Sequence, residues 1–192
     1  GVIFDIDGLL INSEPLWNKA ASEIFRQYGI LLTEQQYALT TGLRSKEFVA
    51  HWLYAHKIPS TEYDRAEQRI IDLAISLIDQ EANIMPGVEH IFQFFLQKDF
   101  KIGLATSSPV QLIELIKDKL GIRSIIQASC SAQHLPYAKP HQVIAGKLLA
   151  GQAIAIAFVD LPGPGQVLVG NPLTGKVPVR LLAGQDEPDQ FK

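Results

Sequence analysis

The stretch Val2-Ile3-Phe4-Asp5-Ile6-Asp7-Gly8 decides how this chain reads. Three consecutive apolar residues fit a short strand buried on both faces, as in a parallel sheet. Two carboxylates follow, two residues apart, at the end of that strand. If the chain stays extended there, both point to the same side, and a hard divalent cation can sit between them. Gly8 lets the chain turn sharply and lets a ligand approach the backbone. The string does not fit an EF-hand well, because Gly8 comes too early and no Glu closes a twelve-residue loop. Taken alone, the string also fits a plain Asx-turn closing a strand.

Downstream the period changes. Leu16, Ala20, Ile24 and Tyr28 recur at four-residue spacing and Gly29 supplies a stop, so a helix is predicted from about Leu16 to Tyr28. Thr33 and Gln36 form a capping-box pattern for a second helix. Ser45 to Tyr54 is a third. Ser60 or Thr61 would cap a long fourth, with Ala66, Ile70, Leu73, Leu77 and Ile78 on one face. No strand is legible from residue 14 to residue 82. Pro86-Gly87 then punctuates, and a helix follows with Val88, Ile91, Phe92 and Phe95. Next come a strand at Lys101 to Ala105, a helix at Pro109 to Leu120 closed by Gly121, and a strand at Ile125 to Ala128. A helix at His141 to Ala150 and a strand at Ile154 to Phe158 complete the alternation.

Strands alternating with helices imply the α/β class, with a Rossmann-like parallel sheet joined by right-handed crossovers. The first strand is separated from the others by the helical block, which suggests an insertion. The expected organisation is an α/β core of residues 1–13 and 83–192 carrying a helical cap of residues 14–82. The cap would sit over the carboxyl edge of the sheet, where open α/β sheets place their ligands. Beyond Leu161 the residues Pro162, Gly163, Pro164 and Gly165 forbid a continuing helix. Val177 to Leu182 fits one more strand.

Composition narrows the function classes. Of 192 residues, 47% are apolar and 19% charged, which fits a folded globular chain and not a disordered one. Seventeen basic residues against twenty acidic ones leave a net charge of −3, so no basic footprint for nucleic acid exists. The single cysteine, Cys130, cannot form an intramolecular disulfide, so a reducing compartment, the cytoplasm, is expected. No apolar run approaches the roughly 18 residues a membrane span needs. No signal-peptide pattern opens the chain, which begins directly on the strand; a few residues are expected ahead of Gly1. A monomer is the expected state.

Three further polar signals stand beyond predicted strands. Ala105-Thr106-Ser107-Ser108-Pro109 offers hydroxyls and free backbone N–H groups at a helix N-terminus, an anion site or a plain helix cap. Pro140 holds Lys139 out of a helix, so its ammonium projects from a loop. Asp160 follows the strand at Ile154 to Phe158. Each alone fits a bland role. Together they run Asp-x-Asp, Thr/Ser, Lys, Asp, each at the carboxyl end of a predicted strand or in the loop beyond it.

In that order the chain resembles the haloacid dehalogenase superfamily of phosphotransferases. FDIDG (4–8) is similar to its first motif, ATSS (105–108) to its second, Lys139-Pro140 to its third and Asp160 to its fourth. The helical insertion resembles that superfamily's cap. DGLLINSEPLW (7–17), TTGLR (40–44) and LPYAKPH (135–141) are similar to the bacterial sugar-phosphate phosphatases of the 2-deoxyglucose-6-phosphate phosphatase and β-phosphoglucomutase group.

The resemblance implies a mechanism. Asp5 would attack phosphorus and form an aspartyl-phosphate. Asp7 would protonate the leaving oxygen and then activate water. Mg²⁺ would be held by Asp5, the Asp7 backbone carbonyl and Asp160. Thr106, Ser107 and Lys139 would hold the phosphoryl oxygens. Trp17 and Arg44 would meet a small phosphorylated sugar from the cap. Trp17 stands where mutase-like members carry an acid/base histidine, which favours hydrolysis. A mutase of the same fold and a phosphosugar-binding protein with weakened catalysis remain the alternatives. The five histidines show no metal-ligand spacing.

One residue departs from the family pattern. Val159 stands where a Glu is usual before Asp160, and an apolar side chain cannot ligate a metal. Two readings stay open: a weakened metal site, or an error in the sequence of that stretch. On the first reading, Val159→Glu lowers the Mg²⁺ concentration for half-maximal hydrolysis by about tenfold. A Mg²⁺ titration of both proteins, with thermal unfolding alongside, checks this. A variant that melts lower and gains no metal affinity would place Val159 in packing instead.

Overall fold

The computed structural model describes residues 1–133, together with the backbone of 155–156, 167–171 and 175–179. Lys139, Val159, Asp160 and the helix expected at His141 to Ala150 lie outside the described residues. No helix among the described residues is long and apolar enough to cross a membrane.

β1 (Val2–Phe4) and β2 (Ile102–Thr106) are buried along their whole length, as unbroken apolar runs require. They pair in parallel, with Val2 opposite Ile102 and Phe4 opposite Leu104. β3 (Ile126–Ser131) lies parallel to β2 on the far side. β4 (Ala155–Ile156) lies parallel to β1 on the other side, so the sheet order is β3-β2-β1-β4. The order reverses beside β1, which makes the carboxyl end of β1 the topological switch point. β3 runs three residues further than its expected end at Ala128. Its last residues pair with Leu104, Ala105 and Thr106, a gain from tertiary contact that local pattern does not carry. The strands approach closely at Gly103: a Cβ there would stand 3.2 Å from the Ala128 carbonyl, so β3 would have to give way to a larger residue.

Between β1 and β2 the chain is helical. α1 (Glu14–Arg26), α2 (Glu34–Leu39), α3 (Ser45–Ala55) and α4 (Tyr63–Glu81) follow in order, then α5 (Val88–Gln97). α1 stops where Gly29 takes φ +73°, with Gly29 N–H on the Arg26 carbonyl and Ile30 N–H on the Phe25 carbonyl. This is the Schellman pattern. Both halves of the Thr33–Gln36 capping box form. The cap expected from Ser60 or Thr61 does not: Ser60–Glu62 wind as a single 3₁₀ turn after Pro59, and α4 starts without a side-chain cap. The buried face of α4 is Ala66, Ile70, Ile71, Ala74 and Ile78, while Leu73 and Leu77 are half-buried. α6 (Val110–Lys119) crosses from β2 to β3.

The buried side chains form two clusters. One gathers β1, β2, α5 and α6 around Phe4, Leu104, Ile113 and Phe92, and takes in Ile78 at the end of α4. The other lies among α1, α3 and α4 around Phe25, Leu53 and Ile70. Trp17 and Leu77 pack against both. The chain leaves and re-enters the sheet side through two adjacent segments, with Asn12 N–H on the Asn83 carbonyl and Ile11 bridged to Ile84.

β6 (Gly175–Val179) overlaps the strand expected at Val177 to Leu182 in residues 177–179, and 180–182 lie outside the described residues. It pairs antiparallel with β5 (Val167–Asn171), which the Gly- and Pro-rich sequence had concealed.

Phe25 is 1% exposed and stacks on Phe48 with ring centroids 5.6 Å apart. Phe25→Ala therefore removes about 3–5 kcal/mol of stability. A urea-unfolding midpoint lowered with unchanged slope is the expected result.

Candidate functional site

β1 ends into a tight turn. Leu10 and Ile11 N–H groups return to the Ile6 carbonyl, Gly8 N–H bonds the Ile11 carbonyl, and Gly8 takes φ +70°. The turn holds Asp5 and Asp7 at the carboxyl edge of the sheet. Asp5 is 7% exposed, and one of its carboxylate oxygens accepts the Ile6 N–H at 2.8 Å.

Asp7 is the hub. Its Oδ1 accepts the Ser13 hydroxyl at 2.7 Å and the Trp17 indole N–H at 3.0 Å. Its Oδ2 accepts the Thr106 hydroxyl at 3.1 Å and the Ser108 hydroxyl at 2.6 Å. Two donors thus come from the start of α1 and two from the loop after β2. Among the described residues its backbone carbonyl accepts no hydrogen bond.

The β2 loop is itself braced. Ser108 N–H bonds the Thr106 hydroxyl at 3.0 Å, and the Ser131 hydroxyl donates to the Ser108 carbonyl at 2.6 Å. Ala132 N–H returns to the Thr106 carbonyl at 2.8 Å. The Ser107 hydroxyl differs: it is buried and has no partner among the described residues. A buried unpartnered hydroxyl is costly unless a ligand completes it.

A cavity of about 150 Å³ opens above these groups. Asp5, Asp7, Ser107 and Ser108 form its floor, Glu14, Trp17 and Asn18 of α1 one wall, and Tyr37, the loop from Thr40 to Leu43, Ser45 and Phe48 another. Burial pushes the Tyr37 hydroxyl above the usual tyrosine value, with Ser22 and Arg26 of α1 pulling the other way.

The sequence-predicted residues therefore divide. Asp5, Asp7, Trp17 and Ser107 line the cavity. Thr106 does not; it is fully buried, and its hydroxyl serves Asp7 and Ser108. Arg44 does not line it either. Its guanidinium is gripped by Glu47 and reaches the Ala132 carbonyl at 3.5 Å, so it ties the α2–α3 loop to the end of β3. Lys139 and Asp160 are outside the described residues. Sequence reasoning missed Ser13 and Ser108, although both sit inside motifs it quoted; no spacing rule pairs them with Asp7. No group of three or more potential metal-binding side chains occurs among the described residues.

The chain belongs to the haloacid dehalogenase-like hydrolases: that family's model matches residues 2–157. Hexitol phosphatase B of Escherichia coli K12 is 31% identical over 163 residues, spanning 82% of this chain and 73% of that protein. The phosphorylated carbohydrates phosphatase of Thermotoga maritima is 29% identical over 108 residues, 56% of this chain and 50% of that protein. Among solved structures, CbbY from Rhodobacter sphaeroides in complex with phosphate superposes with a TM-score of 0.71 at 19% identity. The match covers 81% of this chain and 75% of that one. At that identity the likeness establishes the fold, a Rossmann-like parallel sheet flanked by helices.

The Arg44 hydrogen bond, set against partial burial, holds the Glu47 carboxyl below its ordinary value of 4.5. The unfolded chain thus binds a proton more readily than the native one in that window. Stability from this pair is full above 4.5 and is lost as pH falls through the lowered native value. Glu47→Gln should flatten the acid limb of the stability curve, read by urea unfolding from neutral pH downward. An unchanged acid limb would show that the pair contributes nothing.

Proposed function

We propose that this protein is a phosphatase that hydrolyses a small sugar phosphate through an aspartyl-phosphate on Asp5. The observation that carries the reading is the convergence at one strand edge. A cavity-lining, nine-tenths buried carboxylate, Asp5, stands beside a second, Asp7, and beside an unpartnered hydroxyl, Ser107. Relatives named as phosphatases of hexitols and of phosphorylated carbohydrates support the reaction and the substrate class.

The domain reading is part of the proposal: an α/β core of residues 1–13 and 83–192, with residues 14–82 acting as a cap that excludes water and meets the sugar. Two hydrophobic clusters with Trp17 and Leu77 at their seam support it.

The donor set fits Mg²⁺, since Asp5 offers carboxylate oxygen and the Asp7 carbonyl accepts no hydrogen bond among the described residues. The Asp7 carboxylate is engaged by four donors, so its part in holding metal falls to the carbonyl. Asp5, that carbonyl and Asp160 would hold the ion, which when bound offsets phosphoryl charge.

The protein's own groups act in two halves. First an Asp5 oxygen bonds phosphorus as the phosphorus–oxygen bond to the sugar breaks, and a proton on Asp7 passes to the sugar oxygen. Then Asp7 takes a proton from water as the water oxygen bonds phosphorus and the Asp5–phosphorus bond breaks. Ser107 and Lys139 would bind the phosphoryl oxygens, while Thr106 orients Asp7. Arg44 would steady the cap against the core rather than read the sugar. A cytoplasmic monomer completes the reading, and the lone Cys130 is compatible with it.

Phosphate release from hexose and hexitol phosphates and from p-nitrophenyl phosphate, with Mg²⁺ and with EDTA, tests the proposal. The wild type should act with Mg²⁺ and stop with EDTA. Asp5→Asn should abolish turnover while leaving the thermal transition near wild type. Activity within about tenfold of wild type, about 1.4 kcal/mol of barrier, removes Asp5 as nucleophile. Sugar-phosphate isomers appearing in place of free phosphate would favour the mutase alternative.

A further inference from the structure

The hydroxyls on the cavity walls are committed in one sense of hydrogen bonding. Thr40 and Thr41 each donate a hydroxyl to the Tyr37 carbonyl, at 3.2 and 3.4 Å. Ser45 donates its hydroxyl to Glu67 at 2.6 Å. A hydroxyl carries one hydrogen, so each of these keeps only acceptor capacity for a ligand. Thr40 spends part of that as well, on the Trp52 indole N–H at 3.2 Å. The Trp17 indole N–H is taken by Asp7. Glu14 is another acceptor, and its carboxylate leans over the turn after β1: a Cβ on Gly8 would stand 3.8 Å from its Oε1. Asn18, one turn further along α1, adds an amide donor.

Charge points the same way. Asp5, Asp7 and Glu14 line the cavity, and among the described residues no Lys, Arg or His does. Arg44 is turned to Glu47 and to the Ala132 carbonyl. In the phosphatase reading, Lys139 and Mg²⁺ would meet the transferred phosphoryl group. The rest of the substrate is left to the acceptors of the walls and to Glu14.

We propose that the walls admit an uncharged polyhydroxylated tail and that Glu14 turns away tails bearing a carboxylate or a second phosphate. The inference rests on the phosphatase reading above and narrows its substrate class. The O–H groups of a polyol supply the hydrogens that Glu14, Thr41 and Ser45 can accept. A carboxylate has no hydrogen to give, and it brings a like charge toward Glu14 that no cation among the described lining residues offsets. The cavity is marked as a ligand site independently of these charges, by the buried and unpartnered Ser107 hydroxyl on its floor.

Glucitol 6-phosphate and gluconate 6-phosphate share chain length and phosphate. They differ at C1, a hydroxymethyl group in one and a carboxylate in the other. In kcat/KM with Mg²⁺, the wild type should favour glucitol 6-phosphate by about tenfold or more. Glu14→Gln, which keeps the shape and removes the charge, should narrow that preference by about threefold or more. Glu89→Gln removes the same charge from α5, outside the cavity, and should leave the preference in place. A wild type without the preference overturns the proposal, and so does a preference that Glu14→Gln narrows no more than Glu89→Gln does. Hydrolysis of p-nitrophenyl phosphate with neither six-carbon substrate turned over also overturns it, while leaving the phosphatase reading standing. A wild type inert toward all three removes the phosphatase reading and this inference with it.

If Glu14→Gln does not fold, ionic strength decides. Raising KCl from about 0.1 to 1 M shortens the screening length from about 10 to 3 Å. The wild-type preference for glucitol 6-phosphate should narrow with it. A preference that holds at high salt is steric and overturns the proposal.

Discussion

The parallel pairing of β1 with β2 is the constraint from which the site follows. Phe4 stands opposite Leu104, so the chain beyond β1 and the chain beyond β2 leave the sheet side by side. Asp7 therefore meets Thr106 and Ser108 across 99 and 101 residues of sequence. A slip of one residue would move the strands by about 3.3 Å and turn every side chain to the other face. The hydroxyls would then miss the carboxylate. Hydrogen bonds to a charged group contribute about 1.5–3 kcal/mol each, so the site reinforces the register that creates it. Gly103 is part of the same constraint, because β3 approaches β2 too closely at that point for a side chain to fit without movement.

The other half of the Asp7 environment comes from the helical block. Ser13 and Trp17 lie four residues apart at the start of α1, so one face of one turn presents both donors. α1 in turn is held to α3 and α4 by the second hydrophobic cluster. The carboxylate thus takes its bonds from α1 and from the loop after β2, while Asn12 and Asn83 lie side by side where the chain passes between sheet and helices. Arg44 adds a further tie, from the α2–α3 loop to the Ala132 carbonyl.

What was legible in the sequence was what short-range chemistry decides. The capping box at Thr33 and Gln36, the Gly29 stop and the buried runs of β1 and β2 depend on residues within a turn or a strand, and they are where the pattern put them. The extension of β3 and the β5–β6 ribbon depend on a partner strand, and the pattern was silent or short there. The same division runs through the site. Asp5, Asp7 and the Thr106–Ser108 string stood out because a strand end followed by polar residues is a local signal. That Thr106 turns to Asp7 while Ser107 faces the cavity is a matter of side-chain direction at a sharp bend. Arg44 follows the Gly42 turn and has Glu47 three positions on, a spacing at which a carboxylate meets a guanidinium on one helix face.

The cavity assigns its two tasks to different parts of the chain. Its floor is made by the sheet edge, where positions are fixed by backbone pairing and by four bonds on one carboxylate. Its walls are made by α1 and by the loop between α2 and α3, where Glu14, Asn18, Thr40 and Thr41 stand among Tyr37, Leu43 and Phe48. A mixture of hydroxyl, amide, carboxylate and ring surfaces matches a polyhydroxylated substrate better than a purely apolar one. A site built to bond a substrate hydroxyl rejects an analogue lacking it far more strongly than an apolar pocket rejects a missing methylene. Under the phosphatase reading, the chemistry belongs to the floor and the choice among sugars to the walls. The floor can then stay constant while the walls change, which is compatible with phosphatases named for different phosphorylated carbohydrates sharing the fold. Trp17 is the point at which the two tasks meet, since the same ring that forms part of a wall also holds the carboxylate of the floor.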